Sequence, residues 1–248
     1  MDRFWSATVD RLTFAFQPIV SCRTGGIVAV EALLRGVREA GFARIFDVFD
    51  LAATDGHLVE VETALRDKAL GLFSLLPLDE EVKLFSNIDN RVFSHPSWQP
   101  SLVETVLARR GLSPDRLVLE VSERHGFPAG SALGSLTTAL DDFGTGFAGL
   151  KTLWDLRPRY MKIDRSFIAG IDTDPELQGF FLGMVDLGHR AGALTVAEGV
   201  ETAGELEFCL SSGCEAVQGF AVGRPGFNGE RFLPLVPGRQ GLLFSTTP

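Results

Sequence analysis

Seven apolar runs in this chain end on, or are followed at once by, a side chain that can bind a cation or move a proton. They are Glu31, Asn87, Glu120, Asp141 with Asp142, Lys162 with Asp164, Glu198 with Glu201, and Gln218. Carboxylates with amides and one lysine are a ligand set for hard divalent cations. Mg2+ takes carboxylate, amide and water oxygens octahedrally, and Mn2+ accepts the same set. Zinc would recruit His or Cys, and His57, His95, His125 and His189 lie outside the pattern. Two oxygen-bridged cations about 4 Å apart orient a phosphodiester, activate a water and stabilise the leaving oxygen. A lysine beside that water would orient it or help to remove its proton.

Such chemistry requires residues 31 to 218 to converge, and the apolar pattern supplies a way. Phe14–Val20 and Gly26–Leu34 are separated only by a short turn, which permits an antiparallel hairpin and not a parallel crossover. Strand-like runs then recur at Val82–Ile88, Arg116–Val121, Thr138–Phe143, Tyr160–Ile163, Leu194–Ala197 and Ala216–Phe220. Helical periodicity fills the intervals: Phe46–Leu76, Pro100–Arg110, Ala129–Thr137, Phe147–Leu156, Pro175–Ala191 and Thr202–Ser211. Alternating strand and helix implies a mainly parallel sheet. Eight strands suit a closed α/β barrel of the (β/α)8, TIM-like kind with its first strand antiparallel, whose active site sits where the parallel strands end. An open doubly wound sheet is the alternative, but no Gly-rich dinucleotide fingerprint follows the first strand. Residues 1–11 read as an N-terminal helix or connector stub, apolar at Phe4, Trp5 and Val9, and residues 12–248 as the barrel.

Each acidic residue also has a plainer explanation. Asp164 before Arg165-Ser166-Phe167 is a fitting helix N-cap, and Thr202 with Glu205 forms a capping box. Adjacent residues such as Asp141 and Asp142 point to opposite sides of a regular strand. Capping does not explain Glu31, Glu120 and Glu198, which lie within or at the end of apolar strands where an unpaired charge is costly.

Composition narrows the classes. The chain has 248 residues, 45% hydrophobic and 22% charged, an ordinary globular balance. Its net charge of −9 argues against DNA or RNA as partner, which would need a basic face. No apolar run is long enough for a membrane segment, the N-terminus lacks a signal-peptide pattern, and Cys22, Cys209 and Cys214 read as reduced thiols; the expected location is cytoplasmic.

Taken in order, several segments resemble the EAL family of cyclic di-GMP phosphodiesterases. They are Glu31-Ala32-Leu33-Leu34-Arg35, Asn87-Ile88, Glu120-Val121-Ser122-Glu123, Asp141-Asp142-Phe143-Gly144-Thr145-Gly146, Lys162-Ile163-Asp164, Glu198-Gly199-Val200-Glu201 and Gln218-Gly219-Phe220. The resemblance spans about residues 12 to 225. It implies a (β/α)8 barrel with one reversed strand and hydrolysis of cyclic di-GMP to linear pGpG with Mg2+ or Mn2+, two ions per site. By that resemblance Glu31, Asn87, Glu120 and Asp141 hold a first metal, and Asp141, Asp142 and Glu198 a second. Lys162, Asp164 and Glu198 are the catalytic residues; Leu34, Arg35, Glu201 and Gln218 bind substrate. Glu123 anchors a regulatory loop, Gly144-Thr145-Gly146, that couples a homodimer to metal binding, and fused sensory domains are common partners. Asp89 stands where the family usually has Ser, Phe147-Ala148-Gly149 where it has Tyr-Ser-Ser, and Gly36–His57 is shorter than usual. The alternatives are a weakly active or inactive cyclic di-GMP receptor that signals by binding, and a scaffold barrel for protein contacts.

Overall fold

The structure, a computed structural model, describes residues 1–122, 127–128, 133–146 and 149–227. Strands β1 (Thr13–Ser21) and β2 (Ile27–Arg35) run antiparallel, as their short link requires. Then β3 (Lys83–Ile88), β4 (Leu117–Ser122), β5 (Thr137–Phe143), β6 (Tyr160–Ile163), β7 (Leu194–Ala197) and β8 (Ala216–Gln218) each pair parallel with the strand before. β8 returns to β1 in antiparallel register, Ile19 opposite Gln218, and the barrel closes. The eight-strand barrel with its first strand reversed is therefore observed.

Helices α1 (Arg3–Arg11), α2 (Ile45–Thr54), α3 (Leu58–Phe73), α4 (Pro100–Arg109), α5 (Gly149–Leu156), α6 (Pro175–Arg190) and α7 (Ala203–Ser211) complete the described elements. The single helix expected over Phe46–Leu76 is two. Gly56 at φ +76° takes the left-handed conformation that ends α2 and lets the chain restart at Leu58. Of the helix expected over Ala129–Thr137, residues 129–132 lie outside those described. Gly134 and Ser135 form a turn, and Thr137 already belongs to β5, where its backbone bonds into the ladder. The last strand stops at Gln218, two residues short of expectation, because Gly219 turns the chain toward Val200. No described helix is long and apolar enough to cross a membrane.

The apolar core has two parts. The larger lies between the sheet and the helices, and includes Trp5 of α1 stacked on Phe42. The smaller fills the barrel lumen with Ile19, Ala29, Phe85, Val118, Ala139, Val196 and Ala216, against which Tyr160 packs. One residue comes from each strand, and this layer sets the register of the functional site.

Candidate active site

Side chains of a strand return to the same face every second residue. Two steps along each parallel strand from the lumen layer lie Glu31, Asn87, Glu120, Asp141, Lys162, Glu198 and Gln218 (from Ala29, Phe85, Val118, Ala139, Tyr160, Val196 and Ala216). β1 runs the other way, so its contribution is found by counting backwards from Ile19 to Gln17. The result is a polar ring of eight side chains resting on an apolar floor, at the mouth where the parallel strands end.

At its centre is the Lys162 ammonium, 1% exposed. It lies 2.8 Å from Asp141 Oδ1 and 3.5 Å from Glu31 Oε2, and is ion-paired to Glu120 and Glu198. Gln218 Nε2 donates to Glu31 Oε2 at 2.6 Å, and Asn87 Nδ2 bridges Glu31 Oε1 at 3.1 Å and Glu120 Oε2 at 3.2 Å. Gln17 approaches Gln218 at 3.4 Å and is itself anchored on the Gly223 carbonyl. Burial works against the charge on Lys162, but Asp141, Glu120, Glu198 and Glu31 outweigh it and hold the ammonium well above the lysine range. Burial, then the neighbouring carboxylates, pushes Glu120 and Glu198 well above the usual range for glutamate.

Asp142 reaches the same site by a local distortion. The β5–β6 register slips between Leu140 and Phe143, and Asp142 has φ +54°. A bulge with a left-handed residue re-aims the side chain that a regular strand would send to the other face. Partial burial and the adjacent Asp141 raise the Asp142 carboxyl to about 6.

Cations fit this arrangement. One oxygen each of Glu31, Glu120 and Glu198 lie within 4.8 Å of one another, and so do oxygens of Asp141, Asp142 and Glu198. Glu198 belongs to both groups. Asp141 Oδ1, though close to Lys162, and Gln218 Oε1 are buried without a hydrogen bond. One ammonium among five carboxylates, three of them buried, leaves an excess of negative charge that hard divalent ions relieve.

The remaining expected residues surround the ring. Asp164 caps the short helical turn Arg165–Phe167 through Ser166 N, as its plainer explanation held, yet it also lines a cavity of about 250 Å³ with Glu31, Glu198, Glu201 and Gln218. Glu201 pairs with Arg165 at 2.9 Å. Thr202 and Glu205 form the expected capping box. Leu34 and Arg35 line a separate cavity of about 440 Å³ on the opposite side of the ring, with Phe46, Phe49, Asn87 and Asp89. The negative charge of Asp89 is spent on capping Arg91 N and pairing its guanidinium, so it adds no ligand to the ring. Gly144 at φ +102° packs on Phe167, where an added Cβ would come within 2.5 Å of the ring edge. Thr145 Oγ1 donates to the Asp142 carbonyl at 2.9 Å, which ties the Gly144–Gly146 loop to the bulge. Glu123, Phe147 and Ala148 lie outside the described residues.

Sequence reasoning missed Gln17, Arg165 and Phe220, which line the same cavity as Asp164. Gln17 was legible as the one polar residue within the apolar run Phe14–Val20, directly opposite Glu31.

The fold and site define a (β/α)8-type barrel with a cation-competent acidic ring at its mouth. The EAL domain family matches residues 6–225, and the chain belongs to that family. The bifunctional diguanylate cyclase/cyclic di-GMP phosphodiesterase MucR of Pseudomonas aeruginosa is 32% identical over 229 residues, covering 87% of this chain and 33% of MucR. A solved structure of MucR phosphodiesterase in complex with c-di-GMP has a TM-score of 0.74 at 30% identity, covering 88% of this chain and 92% of that one. Klebsiella pneumoniae BlrP1, solved with manganese and c-di-GMP, has a TM-score of 0.73 at 27% identity, covering 88% and 57%. The chain spans about a third of the length of curated relatives such as MucR.

Proposed function

We propose that this domain hydrolyses cyclic di-GMP to the linear dinucleotide with two divalent cations, Mg2+ or Mn2+. The observation that carries the reading is the ring, four carboxylates, two glutamines, one asparagine and one ammonium, with the Asp142 carboxylate beside it, set between two cavities. In this reading Glu31, Asn87, Glu120, Asp141, Asp142 and Glu198 hold the cations. When bound, these supply Lewis acidity toward the phosphodiester and a water of lowered pKa.

The chain's own groups do the rest. The two bases occupy the flanking cavities, one against Leu34, Phe46 and Phe49, the other against Phe220, whose ring carries the Arg224 guanidinium at 4.2 Å. Arg35 meets a phosphate and Gln218 fixes the ligand from the β8 side. Lys162, at the centre of the ring, orients the attacking water and neutralises charge. Asp164 keeps one oxygen after capping Ser166 and accepts the water's proton. A bond forms from water oxygen to phosphorus, one P–O ester bond breaks, the departing ribose oxygen takes a proton from solvent, and the cyclic dinucleotide opens.

The same reading includes a homodimer. α5 and α6 flank an apolar groove of about 1040 Å³ lined by Leu150, Phe167, Phe180 and Met184, with Leu150 66% and Phe180 68% exposed. Gly144 and Gly146 also line it, so the loop after Asp141 and Asp142 would meet the second copy.

The test is incubation of the purified protein with cyclic di-GMP and Mg2+, Mn2+ or EDTA, with nucleotides followed by chromatography. Linear dinucleotide forming only with metal supports the phosphodiesterase. Saturable binding of intact cyclic di-GMP with no product would replace it by the receptor.

A further inference from the structure

We propose that Glu62 and Arg66 of α3 are positioning residues for the cation-binding ring, forming a clamp that holds Asn87 between Glu31 and Glu120. The inference rests on reading that ring as a divalent-metal site. Both residues occupy the stripe of α3 that faces the barrel, with Leu58, Val61, Leu65 and Ala69, and they are only 4% and 3% exposed. Arg66 Nη2 donates to Glu62 Oε2 at 2.9 Å and reaches the Asn87 carbonyl at 3.4 Å. The other oxygen, Glu62 Oε1, accepts the Asp89 amide at 2.8 Å.

The backbone atoms they bind explain the pair. β3 stays in register with β4 as far as Ile88 opposite Val121, but its ladder with β2 stops at Ala32 opposite Ser86. In a parallel ladder, one residue of the neighbouring strand donates to the carbonyl before its partner and accepts from the amide after it. Asn87 O and Asp89 N are those two groups for a partner facing Ile88. Arg66 and Glu62 therefore supply, from side chains, the hydrogen bonds of the β2 residue that has peeled away. The clamp prolongs the stiff part of β3 through Asn87, whose Nδ2 is the link between Glu31 and Glu120.

Stability alone is a poor reason for this pair. A buried ion pair is commonly no better than an apolar pair of equal volume, and Arg66 Nε is left buried without a partner. The decisive variant is Glu62→Leu with Arg66→Met in the full chain. Thermal melting in EDTA is expected within a few degrees of wild type, because relief of the buried pair offsets the two backbone groups left unpaired, while calorimetric Mn2+ affinity of the metal-stripped protein falls about tenfold or more, the usual effect of losing an outer-sphere partner. Wild-type Mn2+ affinity in the folded double variant overturns the clamp. Should the double variant not fold, Arg66→Lys decides, because its ammonium keeps the charge beside Glu62 but ends one bond short of the Nη2 that reaches Asn87; unchanged Mn2+ affinity there overturns the proposal. Mn2+ binding is read without nucleotide, so a wild-type chain that binds Mn2+ but leaves cyclic di-GMP intact sinks the phosphodiesterase and not the clamp. A wild-type chain that binds no Mn2+ sinks both.

Discussion

Lys162 balances four carboxylates within the ring, and removing it exposes what it holds. Lys162→Met should destabilise the metal-free protein by about 3–5 kcal/mol, the usual cost of leaving a buried charge uncompensated, and Mn2+ should restore most of that loss in a thermal melt. Asp141→Asn removes an oxygen charge at the rim and not in the core; hydrolysis should fall by at least about a hundredfold with an unchanged circular dichroism spectrum. Retained turnover would remove Asp141 from the cation site. The pH dependence follows from Asp142, whose carboxyl is raised to about 6. A raised acid holds its proton in the folded state below that pH, and the proton competes with a cation. Mn2+ affinity should thus rise with pH and be about tenfold weaker at pH 5 than at pH 7.5 by calorimetry. Without metal the sign for stability is opposite: the folded protein binds the extra proton, so stability falls as pH climbs from about 4 to 6. The ring was legible because its members interrupt apolar strands. Glu62 and Arg66 were not, although they stand on an apolar helical stripe, because an i,i+4 acid–base pair on a helix reads as solvated until its face is known.

Among the elements, β5 departs most from regularity. Its bulge depends on Asp142 in a left-handed conformation and on Gly144 against Phe167. Gly144→Ala adds a Cβ at both a strained φ and a contact of 2.5 Å, so it should cost about 1–3 kcal/mol. It should also lower Mn2+ affinity, since the loop hangs on the Asp142 carbonyl; loss of stability with intact Mn2+ binding would uncouple loop from site. Neither the bulge nor the break at Gly56 could be read from hydrophobic period. Period gives an element's face and type, whereas a positive φ depends on tertiary neighbours. Thr137 and Leu136 failed for a related reason: a short apolar stretch fits a helix end and a strand start equally, and only the ladder with β4 decides.

At the scale of the whole molecule, strand order and closure followed from the hairpin and the alternation after it, since few other arrangements bring residues from 31 to 218 to one mouth. The proposed pairing through α5 and α6 was not legible, because exposure of Leu150, Trp154 and Phe180 appears only once the helices are docked. Trp154→Arg with Phe180→Glu should convert a dimer into a monomer in light scattering after gel filtration; an unchanged mass would move the interface elsewhere. The lumen floor has a consequence of its own. Under Glu31, Asp141 and Gln218 the supporting residues are Ala29, Ala139 and Ala216, the smallest side chains that still pack. Floors of this kind act as shims. A single methyl added at Ala139 lifts or tilts the carboxylate above it within a close-packed barrel, so the spacing of the reactive groups can be tuned from below while every group that does chemistry stays the same.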